Sequence, residues 1–201
     1  DLSNPIIFFE HFSLLFNKIK KFKIFTLELR NYEILFFKSL IANNNYLENG
    51  VFFEAEMEKC SIFFSEVFYS LNQMINSSLI LIKAKYFHLT KATFSNETVN
   101  KSKKALLSLS FYMNCILTDI LFSSNILIEN ELFEILSLDD RDKYLYMNHF
   151  ILSYCRFEGS ENREKSVCPT TSSGIEITFT HLIISHNLLL RRETTLFFHS
   201  Y

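Results

Sequence analysis

A chain of 201 residues and 23.8 kDa, 48% hydrophobic and 21% charged, is long enough to bury a core unaided and too apolar for wholesale disorder. Its net charge of −2 lacks the basic excess of a general nucleic-acid binder, so no nucleic-acid partner is expected. With Gly 3 and Pro 2 against Phe 23 and Trp 0, it lacks the turn residues of most sandwiches and barrels and the glycines of a phosphate cradle.

These absences predict an all-α protein, an elongated helical bundle with an N-terminal helical hairpin and two long antiparallel helices. Pro5, after Ser3 and Asn4, sits where a first helix would start. Residues 6–41 read as a helical hairpin, with one stripe of Ile6, Phe9, Phe12 and Phe16 and another of Leu29, Tyr32, Leu35 and Leu40. Residues 42–50, with three successive asparagines and then Asn49-Gly50, form the first clear loop. Over residues 51–92, Phe53, Met57, Cys60, Phe64, Val67, Leu71 and Met74 are spaced alternately four and three apart. That spacing predicts a helix roughly 60 Å long. Ser95, Asn96, Thr98 and Asn100 are capping types before a helix over 101–123. Residues 126–138 are read as helical again, and Asp139 or Asp140 caps a last helix over 142–156.

After Gly159 the chain turns polar. Ile175, Ile177 and Phe179 then alternate with Glu176, Thr178 and Thr180, a strand period. The expected division is a bundle domain over 1–158 and a poorly anchored tail over 159–201, a polar linker with a short strand-like segment.

The chain carries no G-x-S-x-G, H-E-x-x-H, Walker or G-x-G-x-x-G motif, so no enzyme, catalytic residue or cofactor is expected. Cys60, Cys115, Cys155 and Cys168 are widely spaced, and His181 and His186 lie five apart in a strand or loop, so no metal site is expected. Buried free thiols favour a reducing compartment, and no segment has the roughly 18 apolar residues of a membrane span. The expected location is the cytoplasm, either as a free protein or as the cytosolic part of a membrane-associated one. The run from Asn17 to Lys23 places Lys18, Lys20, Lys21 and Lys23 among Ile19 and Phe22. It reads either as a solvated amphipathic face or as an anion site, to which Lys101, Lys103 and Lys104 could add.

The order of elements resembles the SPX domain family over roughly residues 18–143. Asn31-Tyr32-Glu33-Ile34-Leu35-Phe36-Phe37-Lys38 is similar to the hairpin motif of that family, with Glu28-Leu29-Arg30 before it. Phe52-Phe53, Glu56-Met57-Glu58-Lys59-Cys60 and Phe63-Phe64 follow the start of its first long helix. Phe111-Tyr112, Asn125 and Ile135-Leu136-Ser137-Leu138-Asp139-Asp140-Arg141 follow the order of its second, with Ser137-Leu138 where the family has a lysine pair. The resemblance implies a regulatory module sensing inositol polyphosphates or another polyanion in phosphate homeostasis. Its phosphate-binding residues here would be Lys21, Tyr32 and Lys38, in a site degraded by the missing lysines. The alternative is a non-enzymatic helical scaffold with no small ligand. The surplus of Phe8, Phe9, Phe12, Phe22, Phe25, Phe36 and Phe37 over one helix stripe would then mark the surface for a protein partner.

Overall fold

In the computed structural model the protein is built from parallel β-strands. The structure describes residues 6–21, 23–27, 34–101, 105–129, 131–137, 143–158, 165–166, 170–171, 175–190 and 194–195. The all-α bundle, its helical hairpin and its two long helices are therefore overturned: among the described residues every regular element is a strand. The stretch expected to be the longest helix is occupied by Val51–Ser70, Gln73–Ile75 and Ser78–Ser95, all strands. Tyr32, Lys103, Lys104, Asp139, Asp140 and Cys168 lie outside the described residues.

The chain winds into successive coils, each stacked in register on the last. Lys18, Tyr46, Gln73, Thr98, Ile126, Arg156 and Leu188 are consecutive partners in a seven-stranded parallel sheet, at intervals of 25 to 32 residues. A ten-stranded parallel sheet holds the long strands Ile6–Leu15, Ile34–Asn43, Val51–Ser70, Ser78–Ser95, Leu107–Ser123, Lys143–Ser153 and Ile175–Ser185. This is a β-solenoid. Ile175–Ser185 pairs along Lys143–Ser153 and Leu188–Leu190 pairs with Arg156–Glu158, so these residues extend both sheets instead of forming a loosely appended strand.

Within a coil, short extended stretches are joined by single residues with positive φ. His11, Phe16 and Lys21 are such corners, then Ser39, Asn44 and Asn49, then Glu66, Leu71 and Asn76, then Lys91, Asn96 and Lys101, each five residues from the next. Between corners the side chains alternate inward and outward: Leu40 and Ala42 are buried, while Ile41 faces out. The corner then restarts the alternation, so that Asn45 and Leu47 point inward. Glycine is the cheapest residue for positive φ, yet here Asn, Ser, His and charged residues fill most corners, with Phe16, Leu71 and Tyr154 at others. Scarcity of glycine therefore did not exclude a turn-rich β fold.

The same corners explain the helix-like spacing. Phe64 and Val67 both face inward because Glu66 is a corner between them, and Tyr69 and Asn72 both do because of Leu71. Inward positions thus fall two or three apart, and a four-three series drawn through them imitates a heptad. Leu71, a member of that series, is 48% exposed. It is an exposed hydrophobe held at φ 55°, where the equivalent corners of the neighbouring coils are Asn44 and Asn96. Leu71→Asn is expected to raise stability by about 0.5–1 kcal/mol in urea unfolding, because Asn tolerates this region better. A loss of stability would contradict that account of the corner.

Equivalent side chains of successive coils stack inside. Tyr69, Phe94 and Phe122 lie at centroid separations of 5.4 and 4.6 Å with nearly parallel rings, and Phe9, Phe37 and Phe64 follow at 4.7 and 5.0 Å. Phe53 meets Phe37 and Phe64 edge-on, locking the second column from the side. Much of the Phe excess is therefore core.

Candidate functional site: an outer aromatic ridge and an interrupted amide ladder

Directly after the second corner of each coil, one inward position is polar. Asn17, Asn45, Asn72, Glu97, Asn125, Cys155 and Asn187 occupy it in turn. Asn45 donates its backbone N–H and its Nδ2 to Asn72 Oδ1 at 3.0 and 2.9 Å. Asn72 Nδ2 donates to Ala42 O and to Glu97 Oε1, both at 3.0 Å. The Glu97 N–H donates to Asn125 Oδ1 at 2.9 Å, and Asn125 Nδ2 donates to Phe94 O. An amide suits this position because it supplies both an acceptor and donors to a buried turn that water cannot reach.

Glu97 is the exception. It is 0% exposed, and its Oε2 has no hydrogen-bond partner among the described residues. Burial raises its carboxyl to about 8, against the opposing effect of the Asn72 bonds. The Tyr69 hydroxyl is likewise buried without a partner, and burial and then the nearby Glu97 hold its pKa well above the ordinary value. A perturbed acid often marks a catalytic site, but this one is sealed in the core.

The outer surface of the long strands carries further aromatic residues. Phe8, Phe36, Phe63 and His88 are successive partners in one outward column. Their ring centroids are 5.2, 6.3 and 5.8 Å apart, and Phe8 is 53% exposed. Ile116 and Tyr146 continue the column, with the exposed Tyr144 beside it. Desolvation on this face lowers the pKa of His88. The neighbouring outward column is polar and nearly uncharged: Glu10, Lys38, Ser65, Thr90, Thr118, Asn148 and Thr180. Glu10 and Lys38 neutralise each other at 3.1 Å.

Of the residues expected to bind phosphate, the two that are described lie apart, at different sheets. Lys38 is on this face, paired with Glu10. Lys21 is a corner after Lys18–Lys20 in the seven-stranded sheet, and Tyr32 is outside the described residues. Within the basic run, Lys20 binds Glu48 at 2.7 Å and Lys18 lies over the Tyr46 ring. The inositol polyphosphate sensor is therefore corrected along with the helical architecture it required. Strands carry Ile34–Lys38, Phe52–Phe64 and Phe111–Tyr112, which the resemblance to the SPX family read as helical, so its lysines are not gathered at a hairpin. The ladder asparagines were missed as a set. The legible signal was Asn followed two residues later by an apolar residue, in Asn17-Lys18-Ile19, Asn45-Tyr46-Leu47, Asn72-Gln73-Met74, Asn125-Ile126-Leu127 and Asn187-Leu188-Leu189.

Among the described residues, no helix is long and apolar enough to cross a membrane. No family model matches the chain. No curated protein matches it either.

Proposed function

We propose that this chain is a non-enzymatic β-solenoid recognition scaffold that offers its outer aromatic ridge to an extended segment of a protein partner. The observation that carries the reading is the outward column Phe8–Phe36–Phe63–His88, a row of rings on successive strands with Phe8 exposed and the others half-buried on the outer face. The ring orientation supports a polypeptide over a sugar chain. Phe8 and Phe36 are stacked at 14°, and Phe36 and Phe63 at 24°, so they cover one another's faces and turn their edges outward. A pyranose packs on a ring face, whereas apolar side chains of an extended peptide fit between ring edges. Ser65, Thr90 and Thr118 beside the ridge add hydroxyls for the peptide backbone.

Selection from a display library of linear peptides tests this. Apolar and aromatic peptides are expected to be retained by the wild-type chain and released at least tenfold more readily by Phe36→Ser/Phe63→Ser, with thermal unfolding little changed. Equal retention by the double variant would overturn the reading, as would retention of glycans in place of peptides.

A further inference from the structure

We propose that His149 and His181 form a site for one divalent transition-metal ion of the copper–nickel–zinc kind, assembled on the first corner position of adjacent coils. The two residues are 32 apart in sequence, and the winding of the solenoid brings them together. Both sit at positive φ, 49° and 55°, at the corners of paired strands. Their rings stack at 4.5 Å with an interplanar angle of 29°.

The hydrogen bonds fix how each ring presents itself. His149 Nδ1 lies 3.1 Å from Asp119 Oδ1, a carboxylate on the preceding coil. His181 Nδ1 lies 3.4 Å from Asn148 Oδ1, which also accepts from the Thr180 hydroxyl at 2.7 Å. Both partners are oxygen acceptors, so each neutral imidazole keeps its proton on Nδ1. The lone pair is then on Nε2 in both rings. A carboxylate behind a histidine, as Asp119 is behind His149, orients the ring and raises its basicity toward a metal.

Stacked 29° from parallel with centroids 4.5 Å apart, the rings bring their edges within reach of a common ion. Two imidazole nitrogens on one ion, each about 2.0–2.1 Å from it, stand a little over 3 Å apart. Both rings are exposed and free to tilt until the two Nε2 lone pairs converge on one ion: the His149 side chain is 52% exposed, and His181 is exposed. Among the described residues no three His, Cys, Asp or Glu groups converge on one point. The site is thus a two-nitrogen clip with its other positions open to solvent. Imidazole donors suit copper, nickel and zinc and disfavour magnesium and calcium. The groups facing the pair are Asp119, Asn148 and Thr180.

Titration of the whole chain with Ni²⁺ and Zn²⁺ at pH 7.5, followed by calorimetry and by the histidine ring resonances, tests the site. One ion per chain is expected, with the His149 and His181 rings shifted together and His186 unmoved. His149→Ala and His181→Ala are each expected to weaken binding at least tenfold, and Asp119→Asn roughly tenfold through loss of the oriented tautomer. His186→Ala should bind as wild type does, with thermal unfolding confirming that every variant is folded. Absence of binding by the folded wild-type chain at millimolar metal would overturn the proposal. So would binding that survives His149→Ala/His181→Ala or is lost in His186→Ala.

Discussion

Replacing Glu97 by Gln is expected to remove a loss of stability that the wild-type chain undergoes between pH 4.5 and about 8. The folded carboxyl is raised from 4.5 to about 8, chiefly because burial disfavours the charged form. Below 4.5 the acid is protonated in both states and stability is at its full value. As the pH rises from 4.5 toward 8, the unfolded chain releases this proton while the folded chain keeps it. The folded state then binds more protons, so unfolding free energy falls with pH. Above about 8 both states are ionised and the loss is complete, on the order of 3–5 kcal/mol. Urea unfolding of wild type and Glu97→Gln at pH 5, 6.5 and 8 gives the difference directly. Gln keeps the acceptor for Asn72 Nδ2 and carries no charge. A stability difference that does not change with pH would mean that Glu97 is not held neutral in the core.

The second large effect is expected at Asn72, in the middle of the ladder. Its side chain accepts from the Asn45 backbone N–H and Nδ2 and donates to Ala42 O and Glu97 Oε1. Asn72→Ala leaves buried groups of two neighbouring coils without partners. The expected cost is about 3–5 kcal/mol, because unmade bonds at buried groups carry the full desolvation penalty. Asn17→Ala provides the comparison. Asn17 makes the same kind of bond to Asn45 but is only partly buried, so its loss should cost about 1 kcal/mol. Equal midpoints for the two variants in chemical denaturation would show that the ladder is not what closes the coils.

Both residues show the limits of reading this chain as a string. Asn45 was read as part of a loop and Asn72 as part of the long helix, yet each directly follows a positive-φ corner. Their place inside the core follows from stacking: each bonds to the side chain at the equivalent position one coil away, 25 to 28 residues along the chain, which no local window contains. Glu97 is the sharper case. It lies between Asn96 and Thr98, in a segment read as helix capping, and only the coils on either side make it a buried acid.

What the sequence determined by itself is the core, its apolar amount and its aromatic character. Phe53, Met57, Cys60, Phe64, Val67 and Met74 were picked out as inward and are inward. The alternation of Phe179 with Thr178 and Thr180 was legible as a strand, because a two-residue period survives wherever four extended residues lie between corners. The secondary structure of the long apolar segments was decided by tertiary structure. Positive-φ corners every five residues make inward spacings of two and three, and a helix template accepts a selection of those as readily as a solenoid does. Parallel pairing between coils then supplies the backbone hydrogen bonds that a helix would have made internally. Pairing also sets which outward residues become neighbours: Lys38 with Glu10, Phe36 with Phe63, and His149 with His181. The outer surfaces are therefore products of register, and register here is fixed by the closing of each coil upon the last.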